Sequence, residues 1–327
     1  MALDYASDQQ FAALWQQTFD EGGTVQDIAD RLEMSLRATF IRRRKVEKTL
    51  GIKLSAVSSK QPLQYLPTES LAIDVSGTVI VCSDVHLWPD HHPFAWYCLL
   101  EAVKLFRPVE VWINGDLLDL PSASRHPRRG WEERPTIEEE VDWAQQEMKA
   151  LTKACDKIKA KKRLTRGNHD DRFENYLVKN AQAVEGLPGT TLEDLYKVFD
   201  GWLLYESLVV NETLMVKHAL WTGIHASYNN VLKSGLSTVT GHTHRLLARP
   251  WGDYRGVRFG IETGFLGEIQ GPQFRYVQGS PVDWHPGFCV LHLDGSHLSY
   301  EMVHTHGKTA RVCGRTINRD DFPCSLN

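Results

Sequence analysis

The chain reads Thr78-Val79-Ile80-Val81-Cys82-Ser83-Asp84-Val85-His86 at the point where an apolar run of β type leads directly into polar side chains. The same change from apolar to polar recurs four times further along the chain. Ligand sites in α/β sheets collect at the carboxyl ends of strands, so five such ends predict one shared site. Each motif alone is common in turns or hairpins, and it is the ordered set that favours a site. The later polar segments are Asn114-Gly115-Asp116, Gly167-Asn168-His169-Asp170, His218 and Gly241-His242-Thr243-His244.

The donor types in these segments predict a metal site. They are carboxylates, imidazoles and a carboxamide without thiolates, a set that suits Mn, Fe, Zn or Ni better than softer metals. Asp84 and His86 are two residues apart, so both can face one side of an extended segment, and the same holds for His242 and His244. The carboxylate of Asp116 has two oxygens, which can bridge two cations about 3.5–4 Å apart.

Length and composition are those of an ordinary globular protein. The 327 residues are 42% hydrophobic and 24% charged, and the formal net charge is −4. This balance excludes a global basic field, so any nucleic-acid binding must come from a local patch. From about Ile73 onward, short apolar β-type runs alternate with helical stretches, which predicts an α/β domain. The predicted elements include a strand over 109–113 and helices over 96–105 and 137–162.

Residues 1–55 predict a small all-α domain. Apolar residues at helical spacing predict a helix over 9–19. Thr24 is the expected N-cap of a second helix over 25–32, and Ser35 is the expected N-cap of a third. That third helix, Leu36–Leu50, is expected to end at Gly51. This order of helices and short turns is the plan of a helix-turn-helix domain, as in phage and bacterial DNA-binding proteins.

The charge of the third helix supports that interpretation. Between Arg31 and Lys53 there are eight basic and two acidic residues, and most of this charge lies in the run 42–45. We expect the basic helix Leu36–Leu50 to bind DNA phosphates with a strong salt dependence. The alternative is a solvated basic helix in a three-helix packing or dimerisation module.

The rest of the chain sets the domain organisation. Residues 56–72 are rich in Ser, Pro and Gln without periodicity, and we interpret them as a linker between the small domain and a catalytic domain over 73–327. The six cysteines include no CxxC pair and are typical of reduced cysteines in a cytosolic protein. The N-terminus does not have the pattern of a signal peptide, and no apolar run reaches membrane-spanning length. We therefore expect a cytoplasmic protein with no membrane partner.

The ordered motifs D-x-H, G-D-x-x-D, G-N-H-D, H and G-H-x-H resemble those of the calcineurin-like metallophosphoesterase superfamily. The resemblance covers about residues 73–306, and the overall style is similar to that of phage-encoded phosphoesterases. It implies two mixed β-sheets packed as a sandwich and flanked by helices, with two divalent metal ions at the strand ends. Mn²⁺ is the preferred metal, with Fe, Zn or Ni as alternatives.

The resemblance also implies a role for each motif residue. His169 would be the acid or phosphate-stabilising histidine, held by Asp170. His218 is the least secure ligand, because the family often has Gly where this chain has Ala219, and His225 is the fallback. The first metal would be held by Asp84, His86, Asp116 and His244, and the second by Asp116, Asn168, His218 and His242.

The implied reaction is hydrolysis of a phosphate ester by in-line attack of a hydroxide that bridges two metals. The basic N-terminal module favours DNA as the substrate of a phosphodiesterase, to which the module would tether the enzyme. One alternative is a phosphomonoesterase, or a phosphodiesterase of nucleotides or small molecules, with the N-terminal module used for assembly. Another is a DNA-binding regulator with a vestigial metal domain, which the full ligand set disfavours.

Several further residues lie close to the motifs. Asp119, Arg172 and Arg245 are expected to support the ligands or to contact phosphate. The loop 124–131 is expected to overhang the site, where it would grip phosphate or stack a base on Trp131, or else to be a solvated charged loop.

Overall fold

The computed structural model describes residues 7–20, 24–54, 70–128, 130–277 and 279–322. The internal contacts divide the chain into two compact units, 1–66 and 67–327. Among the helices in these ranges, none is both long and apolar enough to cross a bilayer.

In its described part, the N-terminal unit contains three helices, and the caps of the second and third are the expected ones. They are α1 (Asp8–Asp20), α2 (Val25–Arg31) and α3 (Leu36–Leu50). The hydroxyl of Thr24 accepts from the backbone of Asp27 in a capping box, and the hydroxyl of Ser35 accepts from the backbone amide of Ala38 at the start of α3. Gly51 ends α3 in the left-handed conformation, as predicted. The helices share a small core of Phe11, Trp15, Ile28, Val46 and Leu54.

The larger unit contains five α-helices and fourteen strands in its described part. The helices are α4 (Phe94–Phe106), α5 (Ile137–Ile158), α6 (Arg172–Asn180), α7 (Leu192–Tyr196) and α8 (Ala226–Ser234). The strands are β1 (Ser70–Ile73), β2 (Gly77–Cys82), β3 (Glu110–Asn114), β4 (Lys161–Thr165), β5 (Leu203–Tyr205), β6 (Ser207–Val210), β7 (Leu214–Val216), β8 (Ser237–Thr240), β9 (Leu246–Asp253), β10 (Gly256–Thr263), β11 (Gly287–Asp294), β12 (His297–His306), β13 (Thr309–Val312) and β14 (Arg315–Asn318).

These strands form two mixed sheets. The eight-stranded sheet has the order β14-β13-β12-β11-β2-β3-β4-β5, and β2 to β5 run parallel within it. The six-stranded sheet has the order β1-β6-β7-β8-β10-β9, in which β7, β8 and β10 run parallel. The expected fold, two mixed sheets flanked by helices, is confirmed.

Strand β2 shows why its sequence is a continuous apolar run. Val79 and Val81 belong to the core that also contains Val216 and Val239 of the six-stranded sheet. Ile80 and Cys82 belong to the core formed with α4 and α5 on the other face. A strand that is buried on both faces has no position for a polar side chain until it leaves the sheet. The polar residues therefore begin where the strand ends.

The structure corrects some element boundaries. The helix expected over 137–162 ends at Ile158, because Lys159 adopts a left-handed conformation and Lys161 begins β4. Pairing of β4 with β3 overrides the helical propensity of this lysine-rich stretch. Residues 70–72, assigned to the linker, lie in β1 and pair with β6, while 55–69 lie outside the described residues. Four cysteines are buried, Cys313 is exposed, and Cys324 lies outside the described residues.

Candidate metal centre

All five polar segments come together at one edge of the sandwich. Those that follow β2, β3 and β4 come from the eight-stranded sheet, and those that follow β7 and β8 come from the six-stranded sheet. The expected ligands form contiguous groups in which the nearest donor atoms of each group lie within 4.8 Å of one another. These groups are Asp84 with His86 and His244, Asp116 with His218 and His242, and His86 with Asp116 and His169.

The first group surrounds Asp84. His244 Nε2 lies 3.2 Å from Asp84 Oδ1, and His86 Nε2 lies 3.9 Å from the same oxygen. His86 Nε2 also lies 3.9 Å from Asp116 Oδ2. Two donors each about 2.1 Å from one ion are roughly 3.0–3.5 Å apart at ordinary coordination angles. The spacing is therefore that of side chains able to close around a cation with small adjustments.

The second group lies on the other side of Asp116. His218 Nε2 is 3.2 Å from Asp116 Oδ2 and 3.2 Å from the side-chain oxygen of Asn168. His242 Nδ1 is 2.6 Å from that same oxygen. Asp116 thus lies between the two groups, the position that a bridging carboxylate needs. The structure places His218 in the cluster, whereas the fallback His225 is exposed before α8.

The hydrogen bonds among the clustered side chains leave some of their donor atoms unsatisfied, and divalent cations would satisfy them. His86 is fully buried, and its Nε2 has no hydrogen-bond partner among the described residues. A buried ring nitrogen without a partner costs free energy unless a ligand satisfies it. Asp84 and Asp116 are also buried, so the carboxylates are removed from water and need positive charge nearby.

The electrostatics of the cluster support the same conclusion. Burial raises the pKa of Asp84, but His218 and His244 outweigh it and lower that pKa to about 2. Burial lowers the pKa of His218, but Asp116 and Asp84 outweigh it and raise that pKa to about 10. Without a cation, the protonated imidazole of His218 therefore supplies the positive charge that faces Asp84 and Asp116. A divalent cation would replace that proton, so metal binding would release protons.

The backbone at the ligands adopts a sparsely populated conformation. Five of the candidate ligands have left-handed φ values, a conformation that favours glycine and costs roughly 1–3 kcal/mol at other residues. Surrounding hydrogen bonds hold it in place: the amide of His242 donates to Asp84 Oδ2 at 2.9 Å, and the amide of Val85 donates to the carbonyl of Asp116. The five φ values are 51° at Asp84, 46° at His86, 54° at Asp116, 67° at His242 and 59° at His244.

Two glycines leave room for the ligands. A Cβ at Gly167 would lie 2.2 Å from Asp116 Oδ1 and 2.3 Å from the Asp116 backbone nitrogen. A Cβ at Gly115, where φ is +79°, would lie 2.5 Å from the ring of His218. The ligand side chains therefore occupy the volume that any larger residue would need at these positions.

His169 is oriented by Asp119 and Arg172. Its Nδ1 lies 2.7 Å from Asp119 Oδ1, and its Nε2 accepts from the guanidinium of Arg172 at 3.0 Å. His86 Nδ1 also faces Asp119 Oδ1, at 3.3 Å. Burial raises the pKa of Asp119, but hydrogen bonds from His169 and His86 outweigh it and hold that pKa below its usual range. Asp119 thus orients His169 through its Nδ1 and places negative charge beside Nδ1 of His86.

The expectation that Asp170 holds His169 is wrong in its geometry. The carboxylate of Asp170 accepts from the backbone amides of Asp116 and Gly167, each at 2.9 Å, and from the hydroxyl of Tyr196 at 2.5 Å. Burial and the neighbouring Asp116 raise the pKa of Asp170 to about 6. Asp170 therefore fastens the loop after β4 to the loop after β3, and the side chain on the imidazole is Asp119.

Sequence analysis missed Glu140. This residue lies in the first turn of α5 and is fully buried, and its carboxyl accepts from the backbone amides of Asp119 and Leu120. Burial and the proximity of Asp119 raise its pKa well above the usual range. The acidic first turn of a helix is explained by the helix dipole alone, so nothing in the sequence distinguished Glu140 from its neighbours.

Arg245 does not face the cluster. It is buried in an ion pair with Glu262 at 2.9 Å, and its guanidinium also donates to the carbonyls of Gly223 and Ile224. Glu262 accepts from the hydroxyl of Thr243, between the two ligand histidines of this segment. Arg245 therefore supports the loop that carries His242 and His244, one of the two roles expected for it.

With this geometry established, the comparisons identify the class of protein. The family model for the calcineurin-like phosphoesterase matches residues 77–254, more than half of the chain. The chain belongs to the calcineurin-like phosphoesterase family and is a metal-dependent phosphoesterase, a hydrolase.

Similar proteins come from phages, among others. The chain is 29% identical to the Gene 54 protein of Mycobacterium phage D29 over 73% of this chain and 98% of the relative. It is 28% identical to the Gene 54 protein of Mycobacterium phage L5 over 74% and 98%. Among solved structures, Vps29 of Entamoeba histolytica in complex with zinc gives a TM-score of 0.39 at 14% identity, over 74% of this chain and 98% of that one. The phosphoesterase Yfce of E. coli gives 0.32 at 16% identity, over 68% and 98%.

Proposed function

We propose that the chain is a phosphodiesterase that uses two divalent cations, preferentially Mn²⁺, to hydrolyse DNA. The observation that carries the proposal is the pair of contiguous ligand groups on either side of Asp116, next to His169. When bound, two cations supply a water of lowered pKa and neutralise phosphate charge. One cation would be held by Asp84, His86, Asp116 and His244, and the other by Asp116, Asn168, His218 and His242.

The remaining polar groups suit the other half of the reaction. His169 Nε2 is the atom that would give a proton to the leaving oxygen, and Asp119 would stabilise the charge on the ring through Nδ1. In the absence of substrate, the guanidinium of Arg172 donates to His169 Nε2. A bound phosphate would attract the guanidinium to its own oxygens, so that Nε2 could take a proton from solvent water and pass it to the leaving oxygen.

The charge on α3 supports DNA as the substrate. Within the run 42–45, Arg42 lies over the ring of Phe11 at 5.1 Å and Arg43 over that of Trp15 at 5.3 Å. These two side chains therefore cover the small core, and Arg44 and Lys45 point to solvent. Together with the exposed Arg37 and Lys48, they form a basic face along the helix that suits phosphates.

Hydrolysis of small esters tests the reaction. With Mn²⁺, we expect bis-p-nitrophenyl phosphate to be hydrolysed faster than p-nitrophenyl phosphate, and a chelator to abolish both rates. Asp116→Asn should lose activity and bound metal, whereas Asp142→Asn on the exposed side of α5 should retain both. Preference for the monoester would overturn the phosphodiesterase proposal in favour of a phosphomonoesterase.

Binding to a DNA duplex tests the role of the basic helix. We expect Arg44→Gln with Lys45→Gln to weaken binding and to reduce the slope of log K against log salt by about 2, since each phosphate contact contributes roughly 0.9. The matched control is Lys149→Gln with Lys153→Gln, which removes the same charge from exposed positions of α5. An unchanged salt slope in the α3 variant would assign the N-terminal unit to assembly.

A further inference from the structure

A cleft opens beside His169 at the edge of the metal centre. Its volume is about 530 Å³, within the range of about 300–1,000 Å³ typical of sites for small molecules. Asp119, His169 and Arg172 line one part of it, and Trp88 and Tyr276 also lie in its wall. A phosphate at the cluster would therefore have room beside it, on the side of His169, for a group much larger than a methyl or a hydroxyl.

One wall of the cleft is preorganised by hydrogen bonds within the protein. Arg134 donates to the carbonyls of Pro121 at 2.9 Å, His126 at 3.1 Å and Pro127 at 3.2 Å, and it forms an ion pair with Glu132 at 3.2 Å. A single guanidinium thus fastens several points of the loop that follows Asp119. Because these contacts are made within the protein, a ligand would not bear the cost of ordering this loop.

Tyr276, an aromatic residue of the cleft wall, is held in place by packing against neighbouring rings. The ring of Tyr276 packs against those of Phe274 and Trp284, with centroids 6.4 and 6.3 Å apart, and Trp284 in turn packs on the ligand His244 at 4.5 Å. Tyr276 nevertheless remains 47% exposed, so part of its side chain is open to the cleft. Trp88 is half-buried, two residues after the ligand His86.

The lining of the cleft therefore combines two kinds of groups. An arginine and an imidazole suit a phosphate, and the aromatic rings of Trp88 and Tyr276 suit a planar apolar group. A nucleotide unit carries both, with a charged phosphate joined through a sugar to a flat base. Base stacking on an aromatic ring contributes about 1–3 kcal/mol and tolerates any base.

We propose that this cleft binds the nucleoside on the leaving side of the scissile phosphodiester, with the base against Trp88 and Tyr276. The inference rests on the proposed function, since it names the group that the same centre would release. His169 lines the cleft, so the nucleoside's departing oxygen would lie within reach of His169 Nε2. The exposed Trp131, which sequence analysis offered for stacking, lies outside this lining.

Two diesters that differ in the cleft-bound group test the proposal. The full chain with Mn²⁺ is assayed on thymidylyl-thymidine and on dimethyl phosphate, whose leaving group is methanol and has no ring to place in the cleft. Trp88→Leu and Tyr276→Leu should each lower kcat/KM for the dinucleotide by at least fivefold and leave that for the small diester within twofold. Tyr254→Leu removes a fully exposed ring on β9–β10 and should change neither. Equal losses on both diesters, or none on the dinucleotide, would overturn the proposal.

Equilibrium binding separates this inference from the proposed function. Thymidine 5′-monophosphate is titrated into the full chain with chelator present, and the heat of binding is measured. We expect saturable binding that weakens at least fivefold in Trp88→Leu. Absence of binding, with diester hydrolysis intact, would overturn the nucleoside cleft alone. Intact binding without hydrolysis of either diester under any divalent metal would overturn the proposed function and leave the cleft standing.

Discussion

Replacing Gly167 by Ala tests how tightly the metal centre is built. The added Cβ would lie 2.2 Å from Asp116 Oδ1, whereas ordinary contact begins at 3.4 Å, so the carboxylate must move by about 1 Å. The backbone nitrogen of Asp116 would lie at 2.3 Å, so rotation of the side chain alone does not relieve the clash. A displacement of about 1 Å at a reacting centre costs roughly a hundredfold in rate. We therefore expect kcat to fall about a hundredfold and bound metal to decrease.

Gly223→Ala provides a matched control. An added Cβ there meets nothing within 4 Å, and neither glycine has a positive φ. The two variants therefore differ in whether the methyl group reaches a ligand. Both are assayed for Mn²⁺-dependent hydrolysis of bis-p-nitrophenyl phosphate and for metal content. Wild-type turnover with full metal content in Gly167→Ala would refute the reasoning, because it would show that Asp116 can move without consequence.

Two further substitutions test other parts of the catalytic unit. Asp119→Asn keeps the shape but removes the charge beside His169, so we expect kcat to fall about 10–100-fold, and unchanged steady-state kinetics would contradict the positioning role. Burial raises the pKa of Glu147 to about 6 from an ordinary 4.5, so the folded protein favours the protonated carboxyl. The stability that comes from this protonation is fully present below about pH 4.5 and is lost as the pH rises through about 6. In urea denaturation at pH 8, the free energy of unfolding of Glu147→Gln should therefore exceed that of the wild type by up to about 2 kcal/mol, and at pH 4 the two should be equal. The exposed Glu138→Gln should not differ from the wild type at either pH.

The clustering of the candidate ligands could be predicted from the sequence because each lies shortly after a strand. The apolar run of β2 ends at Cys82, and Asp84 and His86 follow within four residues. Parallel strands bring such ends to one edge whatever the details of the loops. Local sequence and topology were thus sufficient to bring distant residues such as Asp84 and His244 together.

The partners of those ligands could not be read in the same way. Whether Asp119 or Asp170 faces His169 depends on the path of the loop after β3, where Leu120 adopts a left-handed φ of 47°. That path is held by Glu140, which follows twenty residues later on α5. A contact that depends on a backbone turn and on a remote buried carboxyl leaves no signal in a short motif.

The basic helix shows a similar limit. The sequence counts Arg42 and Arg43 with the charges available to a phosphate, whereas the structure stacks both on core rings. Helical periodicity separates these residues from Arg44 and Lys45, which remain exposed. The exposed charges, not the net charge of the segment, set the number of phosphates that α3 can neutralise.

The candidate metal centre would also link chemistry to folding, because its candidate ligands come from both sheets. Asp84 and Asp116 follow strands of the eight-stranded sheet, and His218 and His244 follow strands of the six-stranded sheet. The apolar core between the sheets therefore holds the two halves of the site in register. A cation that contacts both halves binds the packed state and not the separated one, so metal and sheet packing stabilise each other, by about 2.7 kcal/mol at a metal concentration a hundred times its Kd. Substitutions in that core should consequently weaken metal binding without touching a ligand.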